Sequence, residues 1–371
     1  MRRMRTVTVS TISPDERMLV ELLKRVVQQN ATDLHLSGGT PPVLRIMGEL
    51  IPLTPLGPMT PERIQKMLFS IMSGYQNEEF ITKKELDFSY ECKGLGRFRV
   101  NVMFERNSIG AVFRRIPDEP YSLDQLGVPK VMKKLCEKRT GLVLCTGPSG
   151  SGKSTTLAAC IDFINSKKNC HIVTIEDPIE YVHKNKKALV RQREVGFHTT
   201  SFASALRHCL RQDPDVILVG EMRDLETMFT TLSAAETGHL VFSTLHTSGA
   251  VESINRIVDV FPSDQQSQVR IQLASSLEGV ISQTLIPKAK GHGMVLCCEV
   301  MVATPAIRNI VREGRLHTLR NCIETGSEFG MQTFEVSLRD LYLKGLITYE
   351  MALSRALDVE AFKKLTGMGM T

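Results

Sequence analysis

The sequence predicts an α/β protein of two domains. An N-terminal α+β domain precedes a second domain built on a parallel sheet and closed by a helical C-terminal region. Three observations carry this. Four short apolar runs, GLVLCT, HIVTIE, DVILVG and HLVFST, alternate with helical segments, as strands of a parallel sheet buried on both faces do. Upstream of them, Phe98, Val100 and Val102 alternate with Arg97, Arg99 and Asn101, the period of a half-buried strand. Between the first apolar run and the next helix lies a glycine-rich loop, GPSGSGKST.

Taken in order, Leu19 to Val27 carries apolar residues at helical spacing. Leu34 and Leu36 then alternate with Asp33 and His35 as in a strand. Gly38-Gly39 and Pro41-Pro42 mark a turn, and Val43 to Ile46 resumes strand character. TPERIQKMLFSIM opens a helix with Thr60 as cap and Pro61 in its first turn. GRFRVNVMFERNSIGAVFRRIP reads as paired strands. IPDEPYSLDQLGVP, from Ile116 to Pro129, is the best boundary because three prolines and Asp118-Glu119 interrupt it. The expected domains are therefore residues 1–115, a linker at 116–122, and 123–371, with helices from about residue 305 forming an appended bundle.

Composition narrows the class. Over 371 residues, 42% hydrophobic and 23% charged content are ordinary for a soluble globular protein. Nine cysteines form no CxxC pair, which predicts reduced, buried thiols of a cytosolic protein. MRRMRTVTVSTIS begins basic but lacks the apolar stretch of a signal peptide. No run approaches the roughly 18 apolar residues that read as a membrane span. A net charge of +6 permits an anionic partner without demanding one.

GPSGSGKST, Gly147 to Thr155, carries the strongest chemistry. Its spacing fits G-x-x-x-x-G-K-[ST] in a strand–loop–helix context. Gly147, Pro148, Ser149, Gly150, Ser151 and Gly152 would wrap backbone N–H groups around phosphate, at the positive end of the next helix. Lys153 would reach the β/γ-phosphates, and Ser154, followed by Thr155, would contact Mg²⁺. A nucleotide site that hydrolyses needs acids for the metal and for water. DPDVILVGEMRD runs a buried strand into Glu221, and EDPIE places Glu176, Asp177 and Glu180 after another. Carboxyl ends of parallel strands are where such sheets hold ligands. Glu221 would act on Mg²⁺ through water or polarise the attacking water. In TGHLVFSTLHT, His246 lies just past a strand end and suits a γ-phosphate sensor. His239, at the strand start, is equally well a satisfied core histidine.

AIRNIVREGR, Ala306 to Arg315, reads as a short amphipathic helix. Thr304-Pro305 starts it and Gly314 stops it. Ala306, Ile307, Ile310 and Val311 form the apolar stripe. Arg308, Arg312 and Glu313 lie off it and could couple to neighbours or partners. The pattern alone suits a docked surface helix or a partner-facing element.

In this order GPSGSGKST, TIEDPIE, DPDVILVGEMRD and TGHLVFSTLHT resemble the Walker A, Asp box, atypical Walker B and His box of the secretion ATPase superfamily. DLHLSGGTPPVLRIMGEL and GRFRVN are similar to the N-terminal domain of its type IV pilus motors. The resemblance covers nearly the whole chain from about Asp33. It implies an N-terminal PAS-like α+β domain, a RecA-like P-loop ATPase domain, and a homohexamer binding ATP and Mg²⁺ between domains, near a neighbour's basic residues. It implies Lys153 and Ser154 as ATP and Mg²⁺ contacts, Glu221 as the Walker B acid, and His246 as a sensor. Glu180 is the favoured general base, with Glu176 and Glu221 as alternatives. Arg97, Arg99, Arg114 and Arg115 are candidates to contact the γ-phosphate, where by analogy an arginine supplies about 10³–10⁵-fold in rate.

Within the superfamily, AIRNIVREGR resembles the AIRNLIRE element of PilT-type pilus retraction motors. TGSEFGMQTFEVSLRDLYLKGLITYEMAL is similar to their C-terminal region. Assembly and type II secretion ATPases usually carry a four-cysteine zinc insertion that is lacking here. The resemblance implies retraction, an inner-membrane pilus platform protein and an accessory paralogous ATPase as partners. It also implies a cytoplasmic location, peripheral to the inner membrane at the pilus base. A nucleic-acid translocase would want aromatic stacking platforms, and the chain has 6% aromatic residues and no tryptophan; nucleic acid is not an expected partner. A small-molecule kinase or non-hydrolysing regulator leaves the second acid cluster and His246 unexplained.

Overall fold

A computed structural model describes residues 13–367 except Asn107, Asp118 and His292. The basic stretch at residues 1–12 lies outside the described residues. The chain divides into two compact units, Met1–Asp118 and Glu119–Thr371.

The first unit begins with α1 (Pro14–Gln28), then β1 (Asp33–Leu36), β2 (Val43–Ile46) and β3 (Glu49–Pro52). α2 (Pro61–Ile71) and α3 (Gly74–Lys83) precede a meander of β4 (Glu85–Cys92), β5 (Gly96–Glu105) and β6 (Ser108–Ile116). Its sheet runs β3-β2-β1-β6-β5-β4, every pairing antiparallel. One face is apolar: Phe98, Val100, Val102 and Phe113 are fully buried, together with Leu19, Leu22, Leu23 and Val26 of α1 and Ile64, Met67 and Leu68 of α2. At about 1.5–3 kcal/mol per fully buried side chain, this layer is the unit's main source of stability. Thr60 caps α2, accepting from the backbone N–H of Arg63, with Pro61 in the first turn as its sequence predicts.

The second unit opens with α4 (Val131–Glu137), β7 (Gly141–Thr146), α5 (Lys153–Lys167), β8 (His171–Glu176) and β9 (Leu189–Glu194). There follow α6 (Phe202–Cys209), β10 (Val216–Val219), α7 (Leu225–Glu236), β11 (Leu240–Leu245), α8 (Ala250–Asp259) and α9 (Gln266–Ser276). A hairpin of β12 (Leu277–Pro287) and β13 (Met294–Val302) completes a seven-stranded sheet of order β13-β12-β7-β11-β10-β8-β9. It is parallel except for the β12–β13 pair. The four apolar runs are its centre: every residue of β7, β10 and β11 is buried. β9, β12 and β13 are additions that the four runs do not announce. All nine cysteines are free thiols, seven of them buried.

The expected helical region consists of α10 (Pro305–Glu313), α11 (Leu319–Thr325), α12 (Phe334–Leu343), α13 (Tyr349–Leu353) and α14 (Val359–Thr366). It is not one appended bundle. α10 and α11 pack into the principal core through Ile307, Ile310, Val311, Leu319 and Ile323. α12 to α14 form a separate cluster around Phe334, Leu338, Ile347 and Phe362, against Ile286 and Cys297 of the β12–β13 hairpin. The apolar stripe of α10 is narrower than its spacing suggests. Ile307 and Val311 are fully buried and Ile310 nearly so, whereas Ala306 is exposed.

The charged face of α10 also divides. Arg308 is committed within the chain: Nη1 donates to the carbonyls of Ala274 and Ser275, both at 2.9 Å, and Nη2 pairs with Glu278 at 2.6 Å. It thereby caps the C-terminal end of α9. Glu313 accepts from Asn309 at 2.9 Å and pairs with Arg315. Arg312 is exposed. Arg308→Ala should lower unfolding stability by about 2 kcal/mol, because carbonyls and a carboxylate lose a charged donor. Arg312→Ala should change it by less than about 0.5 kcal/mol. Denaturant midpoints of the two variants test the division, and equal midpoints would refute it.

Candidate nucleotide site

The strands β7, β11, β10 and β8 end together. Thr146 is paired with Leu245, and Val219 with both Ser243 and Ile175. At this carboxyl edge the structure brings together the loop 147–152, Glu176, Glu180, Glu221 and His246.

The loop is shaped by glycines. Gly147, Gly150 and Gly152 have φ of 142°, 76° and 87°, conformations that L side chains rarely adopt. Gly147 has a second constraint, since a Cβ there would lie 2.2 Å from the carbonyl oxygen of Gln283. Pro148, Ser149 and Gly150 form the exposed rim, while Ser151 and Lys153 are buried. Lys153 donates from Nζ to the carbonyls of Gly147 at 2.7 Å and Pro148 at 2.9 Å. Burial lowers its pKa, opposed by the fields of Cys145, Glu221 and Glu180. The α5 N-terminus has no side-chain cap, so its first-turn amides suit an anion. Ser151 Oγ is buried without a hydrogen-bond partner. An orphaned hydroxyl, uncapped amides and a buried ammonium in one loop fit a phosphate. Ser154 is exposed on the first turn of α5, and Thr155 Oγ1 lies 3.1 Å from the hydroxyl of Tyr181.

The acids differ in environment. Glu176 accepts from Thr174 Oγ1 at 2.6 Å, from Gln192 Nε2 at 3.1 Å and from the backbone N–H of Glu180. Burial nevertheless pushes its carboxyl up to about 7, the donors only moderating the shift. Its residue position is half-buried, as is that of Glu180, which follows the cis Asp177–Pro178 bond. Glu221 pairs with Arg223 Nε at 2.8 Å and lies 3.5 Å from His246 Nε2. Thr244 Oγ1 donates to the Gly220 carbonyl at 2.6 Å, tying the Glu221 turn to β11. His239 sits at the other end of β11, its Nδ1 2.9 Å from the Ala234 carbonyl at the close of α7. It is a structural histidine, the plainer of its two readings.

Arg97, Arg99, Arg114 and Arg115 belong to the first unit and do not form one cluster. In the β5–β6 register Arg99 faces Arg114, two residues from Arg97, on the polar face. Arg115 faces Phe98 on the core side. Arg114 Nε is held by Asp33 at 2.8 Å, and Arg99 Nε lies 3.8 Å from Asp87. A two-residue strand period forbids adjacent arginines from sharing a face.

Sequence reasoning missed Tyr181, Gln192 and Gln283. The available signal was a Ser-Gln pair inside the apolar run VISQTLIP: a polar pair in a buried strand needs partners.

Comparison with known proteins decides the family. The profile for Type II/IV secretion system proteins matches residues 88–355. The chain belongs to that family. This secretion ATPase is 49% identical over 344 residues to the type IV pilus retraction ATPase PilT of Pseudomonas aeruginosa, covering 93% of this chain and 99% of that one. A twitching motility protein of Neisseria gonorrhoeae is 48% identical over 320 residues, 86% of this chain and 85% of that one. The crystal structure of a pilus retraction motor PilT with bound ADP superposes with a TM-score of 0.88 at 48% identity, covering 93% of this chain and 99% of that one.

The Glu176 shift has a signed consequence. Its pKa is raised on folding, so the stability it contributes is full below pH 4.5 and lost as pH rises through about 7. Glu176→Gln should therefore reduce the fall in urea midpoint between pH 4.5 and 8. An unchanged pH dependence would contradict the buried carboxyl.

Proposed function

We propose that this chain is the hexameric ATP-hydrolysing motor that powers retraction of a type IV pilus. One observation carries the reading: the similarity to pilus retraction ATPases runs almost end to end, through the loop, both acid clusters, His246 and α10. Pilus assembly and type II secretion by the same superfamily are less well supported, since AIRNIVREGR and the region after it follow the retraction pattern. In this reading the first unit is the PAS-like domain and the second the RecA-like motor.

The residues divide the work. The amides at the start of α5 and the Ser151 hydroxyl bind the phosphates. Lys153 exchanges the Gly147 and Pro148 carbonyls for phosphate oxygens. Among the described residues no three His, Cys, Asp or Glu side chains could hold a metal ion. Magnesium would instead be held through the nucleotide, by Ser154 directly and by Glu221 through water. Bound Mg-ATP supplies the phosphoanhydride whose cleavage powers the motor. Glu180 takes the proton of the attacking water, and Glu176, whose carboxylate accepts from the Glu180 N–H, anchors its backbone. His246, beside Glu221, senses occupancy of the site. Arginines on the polar face of β5 and β6 contact the γ-phosphate, Arg97, Arg99 and Arg114 being better placed to act together than Arg115.

No helix among the described residues is long and apolar enough to cross a membrane. The motor is read as cytoplasmic, docked at the pilus base on an inner-membrane platform protein, and an accessory paralogous ATPase is a candidate second partner. Arg312 is the side chain of α10 left open for such a partner.

Lys153→Ala should abolish ATP turnover with loss of nucleotide binding. Glu180→Gln should keep binding and lower turnover by about 10²–10⁴-fold. Loss of binding in Glu180→Gln would pass the base role to Glu176 or Glu221. In cells, deletion should leave surplus pili and no twitching. Normal twitching and pilus number in a strain without a paralogue would overturn retraction, and a bald strain would indicate assembly.

A further inference from the structure

We infer that Gln283, on β12, is a positioning residue for the phosphate loop. It sets the orientation of the loop's amides from behind and so tunes nucleotide affinity. The inference rests on the reading that loop 147–152 binds the phosphates of a nucleotide.

β12 runs parallel to β7, pairing Ile281 with Cys145 and Ser282 with Thr146. The hydroxyls of Ser282 and Thr146 are 2.7 Å apart. One residue further, where β7 turns into the loop, β12 continues as a wall. The carbonyl oxygen of Gln283 occupies the space a Cβ on Gly147 would need, 2.2 Å away. Its side chain spans the next gap. Nε2 donates to the carbonyl of Ser151 at 2.8 Å, and Oε1 accepts from Cys145 Sγ at 3.1 Å. Nε2 also lies 3.3 Å from the Cβ position of Gly152. Gln283 is thus held at both ends, fully buried, and touches the loop at Gly147, Ser151 and Gly152.

Geometry gives this contact its meaning. The carbonyl of Ser151 belongs to the same peptide plane as the amide of Gly152. A planar peptide points its C=O and N–H in opposite directions. Drawing the Ser151 carbonyl back onto Gln283 turns the Gly152 N–H to the opposite side of that peptide, away from β12. Gln283 touches the loop from behind, so it acts through the peptide it orients. A buried amide that satisfies one carbonyl, and is itself satisfied by a thiol, leaves little freedom for that peptide to flip.

The test separates positioning from mere packing. Gln283→Met preserves length and apolar volume but removes the donor. It should raise KM for ATP about tenfold, the size expected when a buried carbonyl loses its partner, with kcat changed less than twofold. An unchanged KM, or a loss confined to kcat, would overturn the inference. Gln283→Glu supplies a second readout. A protonated carboxyl can still donate to Ser151, whereas the carboxylate repels its carbonyl. ADP affinity of this variant, followed with a fluorescent ADP analogue, should weaken as pH rises through the new carboxyl's titration, beyond any change in the parent protein. Superimposable pH profiles would overturn the inference. If either variant melts early, the profiles are compared below its melting temperature. Absence of ADP binding by the parent protein would remove the nucleotide reading and this inference together. Parent binding with both variants matching it would remove this inference alone.

Discussion

The close approach of the Gln283 carbonyl to Gly147 is the constraint on which the site depends. A peptide oxygen 2.2 Å from a Cβ position admits only glycine. With Gly147 at φ 142°, the chain leaves β7 in a direction few other residues can take. Everything after it follows: the exposed rim, the buried Lys153, and a helix that begins with its amides free. The wall that imposes this comes from β12, more than a hundred residues later.

A second consequence of β12 is that the phosphate loop and the C-terminal helices share a support. The β12–β13 hairpin carries Gln283 on one strand and leads from the other directly into α10. α10 is bound back to the start of β12 through Arg308 and Glu278, and Glu278 also pairs with Lys138 just after α4. On β13, Glu299 accepts from the N–H of Ala250, capping α8 beyond His246 in place of a side chain that Gly249 lacks. Burial pushes this carboxyl up to about 7. The hairpin thus touches elements next to the loop, the histidine turn and the last helices. Side chains packed at interior density leave the hairpin little room to shift, so such contacts hold their geometry.

Much of this architecture is legible in the sequence. The phosphate loop is local, because one stretch of nine residues contains its glycines, lysine and hydroxyls. The central strands are legible because burial on both faces writes itself as an unbroken apolar run. The two acid clusters and His246 could be placed at one sheet edge because parallel strands all end on the same side. β9 escaped such reading: four of the six residues of its sequence, LVRQRE, are polar, as an edge strand allows. The four arginines all lie in the N-terminal strands, but strand alternation sends Arg115 to the core side.

By itself the sequence determined the fold class, the nucleotide loop and the family, because each rests on local spacing or on residue order. Only the tertiary structure decided which side chains are spent on the fold. It assigned Arg308 to α9 and Glu278, left Arg312 outward, made His239 structural, and put Glu176 among three donors in a desolvated place. It also brought Gln283 behind the loop. These outcomes depend on contacts between residues far apart in the chain, and pairwise hydrogen bonding and burial are properties of a packed arrangement that no single stretch of sequence contains.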